Sequence, residues 1–205
     1  GMTNDLSLHY HIGILDGLYD LKRLLLLNKV PENLLSPNLN EVLLKAAKVV
    51  MHFTYPSYFT KNSKDCSPAF NDSWVKTRSV LNKNFKKYME MFPDDKEIQW
   101  MATEGKQGTK PTELVQIYDA SGYYMLRSGW ESSATMMILK NNNNPENKWH
   151  CQADNGTFGL YRNGRNFCPD AGVYTYGGTS SSNADRAAFA ATKMHNTMTR
   201  EEKDI

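Results

Sequence analysis

Residues 105 to 118, GKQGTKPTELVQIY, are where the chain changes period. Before Gly105, apolar residues recur every three or four positions. After Pro111 come short apolar, aromatic and β-branched runs, Leu114 to Tyr118, Gly122 to Arg127 and Ala134 to Leu139, separated by Asp-Ala-Ser-Gly and Trp-Glu-Ser-Ser. Such runs with short polar turns predict antiparallel strands. Helices followed by strands imply an α+β chain of two segregated packing units, a helical segment 1–108 and a stranded segment 109–205, rather than a βαβ sheet.

Upstream of the switch, Asp5 or Ser7 is placed to cap a first helix. Tyr10, Ile14, Leu18, Leu21 and Leu25 share one face of it, Leu24 and Leu26 widen that face, and Pro31 ends the run. A second helix follows Asn38, with Val42, Leu43, Ala46, Val49, Val50 and Phe53 inward, and stops before Pro56. Residues 56–73, with two prolines among Asn, Ser and Asp, predict a long exposed connection. Asp72 or Ser73 then caps a third helix from Trp74 to Met89, and Asp94-Asp95 opens a shorter fourth that Gly105 closes.

Downstream, the run 149–174, WHCQADNGTFGLYRNGRNFCPDAGVY, concentrates polar groups with chemical uses: His150, Gln152, Asp154, Asn155 and Asp170. Asn163-Gly164 between two alternating segments is a strong hairpin signal, because both turn positions need positive φ. Alternation in Met194 to Met198 predicts another strand carrying His195. A sheet would then bring His150, Gln152, Asp170 and His195 onto one face.

Composition limits the function. A chain of 205 residues can bury a core as one domain or two small ones. Its net charge of +2 and lack of a Lys/Arg block argue against nucleic acid. Three cysteines, Cys66, Cys151 and Cys168, have no paired metal spacing and leave an odd thiol. No apolar run is long enough to span a bilayer, so membrane insertion is not expected. The Gly-Met opening reads as a cloning remnant on an internal start, so the parent protein is expected to be longer.

The order Leu6-Ser-Leu-His-Tyr-His11, Cys66-Ser-Pro-Ala-Phe-Asn-Asp72, Gly122-Tyr-Tyr-Met-Leu-Arg-Ser-Gly-Trp130, Trp149-His-Cys-Gln-Ala-Asp-Asn-Gly-Thr-Phe158, Pro169-Asp-Ala-Gly172 and His195-Asn-Thr197 resembles the heparinase III type of the heparinase II/III group, polysaccharide lyase family 12. The likeness runs through nearly the whole chain, and the His150 segment is its most specific part. It implies the last helices of an incomplete α/α toroid followed by the first part of an antiparallel β-sandwich, with an acidic polysaccharide in the cleft between them. The family's toroid is longer, and its early helices carry a functional Asn that has no match here.

The implied reaction is β-elimination at a uronic acid of a glycosaminoglycan, heparan sulfate first, with no organic cofactor. The resemblance makes Tyr10 the acid, and a candidate for the base as well, and His150 the partner base or the neutraliser of the substrate carboxylate. Pattern alone would make Tyr10 a core aromatic and His150 a structural or surface His. His9 and His11, flanking Tyr10, read as cleft-wall or surface residues pointing away from it. Trp130 and Trp149 read as buried sandwich residues, with stacking on pyranose rings as the alternative. Substrate contact is assigned to Lys148, Asn155 and Arg162, with Arg165 and Arg186 near in sequence, and the nearly balanced charge favours a substrate of low sulfation.

Gln152, Asp170 and His195 stand where related lyases hold a structural divalent ion, here zinc, manganese or calcium. Gln in place of an imidazole weakens a zinc site in particular. The same three residues equally suit a hydrogen-bonded triad that pins His150. The alternatives to a heparan-type lyase are a non-catalytic glycan-binding module and a lyase of the same architecture acting on alginate or another uronan. A periplasmic or secreted location, inactivity of the isolated 205 residues, and self-association through exposed helix faces complete the expectations.

Overall fold

Local capping starts three of the five helices in the computed structural model, which describes residues 2–31, 36–142, 150–176, 179–199, 201, 203 and 204. Helix α1 spans Leu8–Leu27, α2 Leu39–His52, α3 Arg78–Met91, α4 Lys96–Ala102 and α5 Ser180–Phe189. Thr77, Asp95 and Thr179 each accept from backbone amides of the turn they open. Strands β1 (Val115–Tyr118), β2 (Tyr123–Arg127), β3 (Met136–Lys140), β4 (Phe158–Arg162) and β5 (Arg165–Asn166) form one antiparallel sheet in sequential order. The β4–β5 hairpin turns at Asn163-Gly164, both with positive φ, as that dipeptide requires.

The helices and the sheet share one core. Burial alternates along β2 and β3, so Tyr123, Met125, Met136 and Ile138 face inward. There they join Val50, Met51 and Phe53 from the end of α2 and its exit, each burial worth about 1.5–3 kcal/mol. Phe53 meets Tyr123 edge to face at 4.8 Å, and Tyr55 stacks on Tyr161 of β4 at 5.0 Å. Gly159 is what lets Tyr55 lie against β4, since a Cβ there would stand 2.7 Å from its Oη. Residues of both the helical and the stranded segment thus join one continuous buried cluster. Trp130 is buried as expected, its indole N–H donating to Glu113 O at 3.1 Å.

Four local expectations change. Helix α1 turns Leu8, His11, Ile12, Leu15 and Tyr19 inward and leaves Ile14, Leu21, Leu24, Leu26 and Leu27 exposed. The helix has apolar residues nearly all round, so the leucine-rich face did not identify the core-facing one. The connection 56–73 is largely buried, because Tyr55 to Tyr58 and Cys66 to Ser73 pack under the sheet and helices. Helix α3 begins at Arg78, since Asp72 is engaged elsewhere and Thr77 supplies the cap. Residues 180–189 are helical, and His195 follows a 3-10 turn, Thr192–Met194, rather than lying in a strand.

Candidate active site

Three backbone segments meet where α1 begins. Ser7 opens α1 but makes no capping bond of its own; its Oγ donates to Asp72 O at 2.8 Å. Asn71 Nδ2 and Tyr123 Oη both donate to Leu6 O, at 2.9 and 2.6 Å. Asp72 N donates to His150 O at 3.0 Å, and Gln152 N to Asn71 Oδ1 at 3.2 Å. Leu6, Asn71 and His150 all have positive φ (50°, 59° and 58°), a conformation that costs non-glycine residues about 1–2 kcal/mol. Such strain persists where surrounding bonds over-determine it, and it often accompanies function.

The junction sets Tyr10 of the helical half against His150 of the stranded half. Their rings stack with centroids 3.8 Å apart and planes 24° from parallel. His150 Nδ1 lies 3.1 Å from Asp72 Oδ2 and 3.3 Å from Tyr176 Oη. Against an ionised carboxylate that nitrogen must donate, which leaves Nε2 of the neutral ring with a lone pair and no partner among the described residues.

Asp72 is the hub. Arg186 Nη2 donates to its Oδ2 at 2.6 Å and Gln152 Nε2 to its Oδ1 at 3.2 Å. Burial alone would raise the carboxyl's pKa, but the bonds from Tyr176, His150, Arg186 and Gln152 outweigh it and hold the group below the usual carboxylate range. Tyr176 shows the opposite shift: burial first, then its bonds to Asp72 and Tyr10, push its phenol up. Arg186 also donates to Thr175 O at 2.9 Å and lies over the Tyr176 ring at 4.3 Å.

A second polar cluster adjoins this one. Asp154, Asp170 and His195 bring their ligand atoms within 4.8 Å of one another. His195 Nδ1 is 2.9 Å from Asp170 Oδ2, and the Lys140 ammonium pairs with Asp154 with both side chains buried. Burial lowers the His195 pKa, but the Asp170 bond and charge more than offset this and raise it overall. Asp170 and His195 therefore meet as the sequence placed them, with Asp154 beside them unforeseen. Gln152 turns its amide nitrogen to Asp72 and Gly172 O, while its Oε1 and His195 Nε2 are buried without partners.

The remaining assigned residues fall as follows. Lys148 and Trp149 lie outside the described residues. Asn155 follows Asp154 and is half-buried, with its Oδ1 buried and without a partner among the described residues. Arg162 and Arg165 are exposed, paired across the β4–β5 hairpin, and make no hydrogen bond or ion pair with the Asp72 cluster. Arg186 is committed to Asp72. His11 is buried, not a cleft-wall residue, its Nε2 lying 2.8 Å from Ala46 O. His9 does not point away from Tyr10, since the two rings meet edge to face at 5.4 Å.

Comparison with known proteins decides the family. Residues 1–100 match the sequence model Heparinase II/III N-terminus, and residues 110–205 match Heparinase II/III-like, C-terminal. The chain belongs to the heparinase II/III family. It is 47% identical, over 97% of its length, to the heparin-sulfate lyase of Bacteroides thetaiotaomicron, and 32% identical, over its whole length, to that of Pedobacter heparinus. A crystal structure of heparinase III covers the whole chain with a TM-score of 0.90 at 45% identity, and that of heparan sulfate lyase HepC from Pedobacter heparinus with 0.82 at 32%. This heparinase II/III chain spans about 30% of the length of those relatives. Asp72 and Tyr176 are the site residues that sequence reasoning left without a catalytic or supporting role, and Arg186, named there only among basic residues near the site, is instead bound to Asp72. The signal for Asp72 was its place in the Cys66–Asp72 motif; Tyr176 carried none.

Proposed function

We propose that this chain supplies the catalytic Tyr and His of a lyase that cleaves a uronic-acid glycosaminoglycan, heparan sulfate first, by β-elimination. The stacking of Tyr10 on His150, with Nε2 of His150 free, is the observation that carries it. In the reaction the uronate C5 proton leaves, its electron pair forms the C4–C5 double bond, the C4–O bond breaks, and the departing oxygen takes a proton. The C5 proton is a poor acid, so the site must stabilise charge that spreads into the adjacent carboxylate.

His150, held by Asp72 with Nε2 outward, accepts the proton or, once protonated, neutralises that carboxylate. Tyr10 protonates the leaving oxygen and, as phenolate, is the other candidate base. A free tyrosine has a pKa of about 10, so base action requires a cationic neighbour such as protonated His150. Arg186 and Tyr176 hold Asp72 ionised and the imidazole in register.

Architecture, location and metal belong to the same reading. The helices are the end of an incomplete α/α toroid, the sheet opens a β-sandwich, and the protein works in the periplasm or outside the cell, where its polymers are. Further toroid helices cover the outward leucines of α1; without them that face drives self-association. The second cluster fits a divalent ion, because His195 Nε2 and Gln152 Oε1 are buried donors without partners beside two carboxylates. Asp170, His195, Gln152 and Asp154 would hold zinc, manganese or calcium, and its charge would tie their loops together beneath His150 without entering the reaction.

The test is ultraviolet absorbance of unsaturated uronides formed from heparan sulfate by the full-length protein. Tyr10→Phe should lower turnover by about 10²–10⁴-fold with unchanged thermal unfolding. Full turnover by that variant would refute the assignment, and cleavage of alginate but not heparan would move the substrate. The isolated 205 residues should show little or no turnover.

A further inference from the structure

His9 and Lys76 form a pair that the reaction above leaves unused. Lys76, 8% exposed, places Nζ 2.7 Å from His9 Nδ1. A protonated amine can only donate, so Nδ1 accepts and the neutral ring carries its proton on Nε2. Burial lowers the lysine to about 8, which still leaves it mostly charged at neutral pH. Burial, and then the Lys76 charge, lower His9, in keeping with a neutral ring. His9 Nε2 has no partner among the described residues and is not among the buried unpaired atoms. The ring stands edge to face with both Tyr10 (5.4 Å) and Trp74 (4.7 Å), and the exposed Trp74 continues to Tyr176 at 5.5 Å.

We infer that His9 is a substrate-binding residue whose Nε2–H, fixed by Lys76 behind it, donates to an anionic oxygen, carboxylate or sulfate, of the sugar lying over Tyr10. Lys76 is a positioning residue: it sets the tautomer and adds positive potential without touching the sugar. The inference deepens the lyase reading and rests on it. Arg162 and Arg165 are exposed on a hairpin and Arg186 is held by Asp72, so this pair supplies cationic character next to the reacting residues.

In the full-length protein, His9→Leu should raise KM for heparan sulfate about tenfold, the loss of one charge-assisted bond, and leave kcat within about twofold. His9→Gln, which keeps an N–H near the Nε2 position, should recover most of the loss. Lys76→Met should raise KM similarly, and nitrogen NMR of labelled His9 should change from the Nε2–H tautomer to a mixture, with Lys76→Arg restoring it. An unsulfated heparan backbone polymer distinguishes the source: a KM rise on both polymers assigns the carboxylate, a rise on the sulfated one alone assigns the sulfate. Wild-type KM in His9→Leu, or a wild-type His9 protonated on Nδ1, would overturn the inference. If the wild-type protein cleaves neither polymer, the lyase reading has failed, and calorimetric binding of the same polymers still tests His9: unchanged affinity in His9→Leu overturns it.

Discussion

Two polar clusters meet at Gln152 and behave differently. Around Asp72 the groups are paired but partly open: His150 and Arg186 each keep 28% of their side-chain surface exposed, and His150 Nε2 is spare. Around Asp154 the groups are sealed, with Lys140, Asp154, Asp170 and His195 side chains at 3% exposure or less. Each cluster contains a carboxylate, a His and a cation, so residue type alone does not separate the cluster proposed to react from the one proposed to be structural. Access does, together with which valences are left over. The open cluster should be sensitive in turnover and the closed one in stability.

Lys140→Met is the strongest way to break that contrast. Removing one partner of a buried ion pair leaves the other uncompensated, and here that should cost about 3 kcal/mol or more, read as a shift in urea midpoint. The double variant Lys140→Met, Asp154→Asn should recover much of it. If Lys140→Met instead left stability intact while abolishing turnover, the closed cluster would be part of the reaction.

Asp72→Asn comes next and tests the open cluster through pH. Because the folded carboxyl lies below its unfolded value, Asp72 contributes stability that is fully present above about pH 4 and disappears as pH falls through the folded pKa. The asparagine variant should therefore be less stable than wild type at pH 7, by about 2 kcal/mol for the lost bonds to charge. That difference should shrink as the pH falls through the folded pKa, measured by denaturant unfolding across the acid range. A constant difference would mean that the carboxylate's charge is not what organises His150.

The contrast also explains what could be read from sequence. Periodicity and end signals located α1, α2 and α4, strands β1 to β3 and the β4–β5 hairpin at Asn163-Gly164, because each depends on neighbours within a few positions. Asp72 was read as a helix cap by the same local rule, yet its partners lie 78 and 114 residues away at His150 and Arg186. The 56–73 segment looked exposed for its prolines and polar residues, and burial came with tertiary bonds such as Tyr58 Oη to Met101 O and Asn71 Nδ2 to Leu6 O. Tyr10 and His150 were named through the resemblance, whereas pattern alone favoured a core aromatic and a structural His. Nothing local could show that Tyr176 and Arg186 would complete the site.

Gly172 gives the smallest expected effect and the finest probe, because it touches both clusters. Its N–H donates to Asp170 Oδ1 at 2.9 Å, and its carbonyl accepts from Gln152 Nε2 at 3.4 Å. At φ +64° an alanine methyl would stand 2.9 Å from Ser73 O and 3.0 Å from Ala69 Cβ. The left-handed backbone alone costs an L-residue about 1–2 kcal/mol, so Gly172→Ala should lower the unfolding free energy by at least that amount. If the clusters are separable, the loss should appear in stability while KM and kcat stay near wild type, since Asp72 keeps its bonds to His150 and Arg186. A fall in kcat larger than the stability change explains would mean that the closed cluster sets the position of His150 through Gln152, and the two clusters would then be one site.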